Sequence, residues 1–91
     1  MEYEEEISPH REKIDRLNIE IIEKIAERQK EALLIGMIKK KYDKSIIDTS
    51  REKVILESIR EKAQHYMLDS DALERVFKEI IRLCVEAEEK Q

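Results

Sequence analysis

Residues 11–39 read REKIDRLNIEIIEKIAERQKEALLIGMIK, and this stretch decides the fold of the chain. At about 100° per residue, one face of a long helix carries the apolar side chains Ile14, Leu17, Ile21, Ile25, Ala32 and Ile35. Arg28 and Lys39 fall on that same face, and Arg11 lies at its edge. Because burying an unpaired charge is costly, these cations must be paired, hydrated or offered to a ligand.

The composition around this stretch is typical of one small helical domain, which we take as residues 1–91. Charged residues make up 44% of the chain, which has only one Gly and one Pro. The net charge of −4 disfavours a nucleic-acid partner, which selects for a basic surface. No apolar segment is long enough for a membrane span. The single cysteine, Cys84, excludes an internal disulfide and indicates a reducing compartment, so we expect a cytoplasmic protein.

The first helix is predicted to begin at Ser8-Pro9, with Ser8 as N-cap and Pro9 at the first helical position. Its pattern continues to about Tyr42, which gives a length of roughly 45 to 50 Å. The acidic residues 1–7 are expected to fray. Gly36, the one weak helix former inside the pattern, indicates close approach by another helix or by a ligand.

Two shorter helices follow a loop at residues 42–48. Thr49 with Glu52 forms a predicted capping box for the second helix, 50–66. Ser70 alone, or Asp71 with Glu74, is predicted to cap a third helix that runs to about Glu89. Their inward faces are predicted as Ile55, Leu56, Ile59, Ala63 and Tyr66 on the second helix, and Leu73, Phe77, Ile80, Ile81 and Cys84 on the third.

The two short helices cannot cover the whole apolar face of the first helix. A monomer would leave a large apolar patch in water. We therefore expect an intertwined homodimer in which the long helices run antiparallel and each covers the exposed end of the other.

Acidic residues also fall on the inward faces: Glu52 on the second helix and Glu88 on the third. Asp48 and Arg51 stand at the entrance to the second helix. Buried ion pairs, such as Arg28 with Glu52 and Lys39 with Glu88, are one interpretation. The other is a cationic pocket for a small dianion that carries a hydroxyl group. Helical periodicity does not separate the two.

Other sites are poorly supported. His10 and His65 have no metal-ligand spacing with each other or with Cys84, so no metal site is predicted. Cys84 on an apolar face is more often a small core residue than a nucleophile. Tyr66 and Phe77 are also interpreted as core residues.

Six short motifs, in this order and at this spacing, resemble the all-helical chorismate mutases, the AroQ class, over essentially the whole chain. They are R-E-K-I-D from Arg11, A-E-R from Ala26, G-x-x-K from Gly36, D-x-x-R-E from Asp48, and F-x-x-I-I with C-V-x-x-E from Phe77 to Glu88. The resemblance implies the intertwined dimer, with chorismate as substrate and prephenate as product of a concerted pericyclic rearrangement. It implies no cofactor, and it places the chain in phenylalanine and tyrosine synthesis.

By position, the resemblance implies that Arg28 and Arg11 bind the two substrate carboxylates, with Arg11 supplied by the other subunit. Lys39 is expected to donate to the ether oxygen and a carboxylate. Glu52 and Asp48 are expected to hold the ring hydroxyl, with Arg51 supporting that corner. The apolar walls are then Ile35, Ile55, Ile81 and Val85.

Two positions depart from the commonest family pattern. Glu88 stands where many members have a Gln that donates to the ether oxygen, and a carboxyl group can donate only when it is protonated. Burial raises its pKa and Lys39 lowers it, and the sequence leaves that balance open. Cys84 stands where a hydroxyl residue often assists a carboxylate.

The alternatives to a chorismate mutase are an isochorismate pyruvate lyase of the same fold and a non-catalytic dimerisation or regulatory module.

Overall fold

The computed structural model of the chain describes residues 2–91, and those residues form three α-helices. Helix α1 is Tyr3–Lys41, α2 is Thr49–His65 and α3 is Ser70–Lys90. The predicted all-helical class, with one long and two shorter helices, is confirmed. Helix α3 packs against both α1 and α2, whereas α1 and α2 do not pack against each other within residues 2–91.

The predicted start of α1 is wrong, because the helix begins five residues before Ser8. Three acidic residues, Glu4, Glu5 and Glu6, occupy its first turn. Their negative charges stabilise the helix by interacting with the positive end of its dipole. Ser8 does not cap the helix; its hydroxyl donates back to the Glu4 carbonyl at 2.6 Å. Pro9 therefore lies inside the helix. Fraying of residues 1–7 stays a prediction.

The caps of the two short helices lie one or two positions earlier than predicted. Asp48 caps α2, since its Oδ1 accepts from the Arg51 amide at 3.0 Å, and the predicted Thr49–Glu52 capping box is wrong. Asp69, rather than Ser70 or Asp71, caps α3 by accepting from the Ala72 amide at 2.8 Å. In both cases an aspartate reaches the free amide three residues on, which is the geometry an N-cap requires.

The inward faces of α2 and α3 are largely as predicted. Ala63, Ile81 and Cys84 are buried, and Phe77 is half-buried. Tyr66 is the exception: it is 69% exposed, because it lies at the C-cap of α2 and packs its ring edge-on against His65 at the surface.

Helices α1 and α2 end in the same way. Asp43 and Met67, each just past a helix end, adopt the left-handed conformation with φ of 58°. The next amide then bonds back to the last turn, from Lys44 to the Lys39 carbonyl and from Leu68 to the Ala63 carbonyl, both at 2.8 Å. These are Schellman motifs, and neither uses the usual glycine.

A cluster of ion pairs spans the turn between α2 and α3. Arg60 contacts Asp71 at 2.9 Å and Glu74 at 3.5 Å. The hydrogen bond to Asp71 is the main cause of the raised pKa of Arg60. None of the three helices described is long and apolar enough to cross a membrane.

Candidate active site

A cavity of about 250 Å³ lies where α1 and α3 meet the start of α2, and we call it the site cavity. Its lining combines cations, carboxyl groups and aliphatic side chains. It is lined by Arg28, Glu31, Ala32, Ile35, Lys39, Ile46, Asp48, Arg51, Glu52, Ile55, Ile81, Val85 and Glu88. Ten of the twelve residues predicted for the site are therefore brought together here.

Helical periodicity accounts for most of this convergence. Arg28, Ile35 and Lys39 follow one another at spacings of seven and four, so they share one face of α1. Asp48, Arg51, Glu52 and Ile55 do the same over the first turns of α2, and Ile81, Val85 and Glu88 on α3. Because α3 packs against both other helices, the three faces meet in one place.

Two cations of the site cavity, Arg28 and Lys39, have neutral hydrogen-bond partners. Arg28 contacts the Cys84 thiol, with 3.0 Å from Nη1 to Sγ. The Lys39 ammonium donates to the Ile46 backbone carbonyl at 2.6 Å. Within residues 2–91, neither residue forms an ion pair, so the structure does not support the interpretation in which Arg28 pairs with Glu52 and Lys39 with Glu88. Each carboxylate lies beyond ion-pair distance of its expected partner, and the positive charge remains available to a ligand.

Glu88 is buried at 9% exposure, and its Oε2 has no hydrogen-bond partner among the described residues. Burial raises the pKa of Glu88 above its ordinary value, and the nearby charges of Lys39 and Arg28 only partly oppose that rise. Desolvation therefore decides the balance that the sequence left open, because the charged form loses more hydration than the two cations restore.

Gly36, which does not itself line the site cavity, lets α1 and the end of α3 approach closely beside it. A methyl group at position 36 would lie 2.9 Å from the Gln91 side-chain nitrogen and 3.2 Å from Cγ of Glu88. Gln91 also donates to the Leu33 carbonyl at 3.1 Å. The predicted close approach at Gly36 is confirmed, and the partner is a helix of the same chain.

Two predicted residues lie outside the site cavity. Cys84 stands behind it and contacts Arg28 from the buried side. Arg11 lies 17 residues before Arg28 on the same helix, a distance of about 25 Å, and contacts Glu4 at 3.4 Å on the surface. One chain alone therefore does not bring Arg11 to the cavity.

Sequence reasoning missed Glu31, Ala32 and Ile46 as lining residues, although it placed Ala32 on the apolar face of α1. Glu31 is three residues after Arg28, so helical spacing could have found it. Ile46 lies in a loop without periodicity, and its contribution includes a backbone carbonyl. No pattern of side chains could have indicated that contact.

The chain is similar in sequence to known proteins. Residues 10–89 match the family model described as chorismate mutase type II. The chain is 37% identical over 89 residues to a bifunctional chorismate mutase/prephenate dehydratase of Aquifex aeolicus (strain VF5). That match covers 94% of this chain and 25% of the relative, so the chain spans about a quarter of the relative's length. The chain belongs to the type II chorismate mutase family, the all-helical isomerases that convert chorismate to prephenate in aromatic amino acid biosynthesis.

Proposed function

We propose that this chain rearranges chorismate to prephenate in the site cavity. The observation that carries the proposal is the pair of cations, Arg28 and Lys39, that face the cavity with only neutral hydrogen-bond partners. Chorismate is a dianion with a ring hydroxyl, and it needs such charges. Arginine suits a carboxylate because its planar group can bind both oxygens.

The reaction needs no nucleophile and no proton transfer, so the residues act by position and charge. Arg28 binds one carboxylate, and the aliphatic walls hold the flexible substrate in a compact chair-like conformer. As the C–O bond breaks, negative charge develops on the ether oxygen. Lys39 donates there and therefore stabilises the transition state more than the ground state.

The ring hydroxyl is assigned to the α2 end of the cavity. Asp48 uses Oδ1 to cap α2, which leaves its second carboxylate oxygen free to accept from the substrate. Glu52 lines the same wall, and Arg51 supports it. Glu88, with its raised pKa, donates to the ether oxygen from the opposite side in its protonated form.

We also propose that the active species is a homodimer. The N-terminal half of α1 is exposed in the single chain: Ile14 and Ile21 are each 55% accessible and Leu17 is 45% accessible. A second copy, packed antiparallel, covers this apolar stripe. It also brings its own Arg11, which lies on the surface of the single chain, to the second substrate carboxylate.

The cellular location stays a prediction. Cys84 is a free, buried thiol, and a free thiol suits a reducing compartment such as the cytoplasm.

Two substrates separate the proposal from its nearest alternative. The purified chain is given chorismate and isochorismate in separate assays. Prephenate from chorismate supports the proposal. Pyruvate release from isochorismate, without turnover of chorismate, would identify a lyase with the same fold instead.

Lys39→Ala tests whether the inward charges serve catalysis or only structure. We expect a loss of turnover of at least about a hundredfold, the usual effect of removing one donor to developing charge, with the circular-dichroism spectrum and thermal midpoint retained. Lys40→Ala, one residue on and exposed, is the matched control and should keep wild-type activity. If Lys39→Ala chiefly lowers the thermal midpoint, the chain is a structural helical module.

A further inference from the structure

The α1–α2 loop, residues 42–48, is the direct link between two helices that do not pack on each other in the described chain. Helix α1 carries Arg28 and Lys39, and α2 carries Arg51 and Glu52. The separation of these two groups across the site cavity therefore depends on α3 and on the conformation of this loop.

Lys39 is bonded to the loop at both its backbone and its side chain. Its carbonyl accepts from the Lys44 amide at 2.8 Å, and its ammonium donates to the Ile46 carbonyl at 2.6 Å. Both bonds depend on the reversal of the chain at Asp43, where φ is 58°. A different conformation at Asp43 would turn the Ile46 carbonyl away from the ammonium.

We infer that the α1–α2 loop presets the Lys39 ammonium for the reaction, with Asp43 and Ile46 as positioning residues. This inference rests on the proposed function, in which Lys39 donates to the ether oxygen. A lysine ammonium has three N–H groups. The Ile46 carbonyl takes one of them and fixes the direction of the other two, so less side-chain freedom is lost when the transition state forms.

Asp43 controls this arrangement through its backbone. The left-handed region is open to Gly, tolerated by Asn and Asp, and disfavoured for β-branched residues. The Asp43 side chain is exposed and makes no hydrogen bond or ion pair among the described residues. Asp43→Val therefore disturbs the left-handed turn, whereas Asp43→Gly removes the same charge and keeps the turn.

Helix α2 supplies a matched control. Met67 has the same φ of 58°, and it is 95% exposed. The backbone bonds that end α2 run from Leu68 to the Ala63 carbonyl and from Met67 to the Gln64 carbonyl. They match those of α1, from Lys44 to the Lys39 carbonyl and from Asp43 to the Lys40 carbonyl. No residue of that turn lines the site cavity. Met67→Val thus repeats the strain of Asp43→Val away from the site.

The experiment measures three quantities for the wild type, Asp43→Val, Asp43→Gly and Met67→Val. These are kcat and KM with chorismate, the thermal midpoint, and the rate at which the Lys39 NH3⁺ protons exchange with water, followed by NMR without substrate. We expect Asp43→Val to lower kcat about fivefold to tenfold. A β-branched residue disfavours the left-handed conformation by about that factor, so fewer molecules hold the loop that positions Lys39. It should raise KM less and speed NH3⁺ exchange. Asp43→Gly should match the wild type in all three.

Met67→Val should lose thermal stability as Asp43→Val does, while its kcat and its Lys39 exchange stay unchanged. If Asp43→Val unfolds, Asp43→Ala and Met67→Ala provide a milder pair for the same comparison. The inference is overturned if the position-43 variant keeps wild-type kcat and slow exchange, or if the position-67 variant lowers kcat equally. A wild type that leaves chorismate unchanged refutes the proposed function, and the exchange rates still decide whether the loop holds Lys39.

Discussion

At the scale of single residues, Glu88 shows how burial and charge compete. It lies near two cations, which favour its charged form, yet its side chain is buried and one oxygen has no partner among the described residues. A buried carboxylate without enough hydrogen bonds is expensive, and taking up a proton removes most of that cost. In the proposed reaction, the raised pKa favours the protonated form of Glu88, which is the form that can donate a hydrogen bond.

Activity should fall as pH rises through the Glu88 pKa, because only the protonated carboxyl group can donate to the ether oxygen. Glu88→Gln carries a permanent donor and should give a flat profile, with higher kcat than the wild type at the alkaline end. Glu86→Gln, an exposed neighbour on the same helix, should keep the wild-type profile. A wild-type kcat that is constant from about pH 4 to pH 8, a range spanning the ordinary carboxyl pKa and well above it, contradicts this.

The raised pKa of Glu88 also makes the unfolding free energy depend on pH. The folded state holds the Glu88 proton more tightly than the unfolded state, whose pKa is near 4.5. This contribution is fully present below that pKa and is lost as pH rises through the higher folded pKa. The unfolding free energy of Glu88→Gln should therefore fall less than that of the wild type as pH rises. Urea titrations at several pH values measure this difference.

At the scale of helices, two aspartates have the same structural role and different surroundings. Asp48 caps α2 and Asp69 caps α3, each through Oδ1. Asp48 also lines the site cavity, whereas Asp69 does not. Substitutions at these two residues can therefore distinguish helix capping from the proposed substrate binding.

Asp48→Ala and Asp69→Ala should each lower the unfolding free energy by about 1 kcal/mol, the usual value of an N-cap. Only Asp48→Ala should also raise KM for chorismate, because it removes an acceptor for the ring hydroxyl. Asp48→Asn should restore most of the stability, since asparagine also caps helices. Equal effects of the two alanine variants on KM would show that Asp48 acts only as a cap.

At the scale of the whole molecule, the single chain is elongated. Its longest extent is 63 Å and its radius of gyration is 17.2 Å, against about 12 Å for a compact domain of this length. Among residues 2–91, only three apolar side chains are buried, those of Ala63, Ile81 and Cys84. Such a shape leaves the N-terminal half of α1 without a partner and motivates the proposed dimer.

Mixing two inactive variants tests the dimer and the role of Arg11 together. Arg11→Ala and Lys39→Ala should each be nearly inactive alone. Refolded as an equal mixture, half of the dimers combine both chains, and each of these has one intact site, so activity should return to about a quarter of the wild type in a two-fold symmetric dimer. No recovery, with heterodimers demonstrated by mass spectrometry, would place Arg11 outside the partner's site.

Much of this fold could be predicted because the face on which a helical residue lies depends only on its spacing from nearby residues in the sequence. Apolar and charged side chains repeat with the helical period, so the faces carrying Arg28, Lys39 and Glu88 follow from residue spacing alone. The wrong cap predictions are also local: Ser8 and Thr49 have the side chains of caps, but the neighbouring backbone gives that role to other residues. Cap residues compete over one or two positions, and the differences in free energy are too small for pattern alone to resolve.

The sequence by itself determined three helices, their inward faces and the presence of cations on an apolar stripe, since each depends on spacing within one helix. Only the tertiary structure decided what those cations meet. It placed a thiol beside Arg28 and the Ile46 carbonyl beside Lys39, and it buried Glu88 enough to raise its pKa. The physical reason is distance: ion pairing, desolvation and hydrogen bonding change over about an ångström, and helical periodicity does not fix separations between helices that closely.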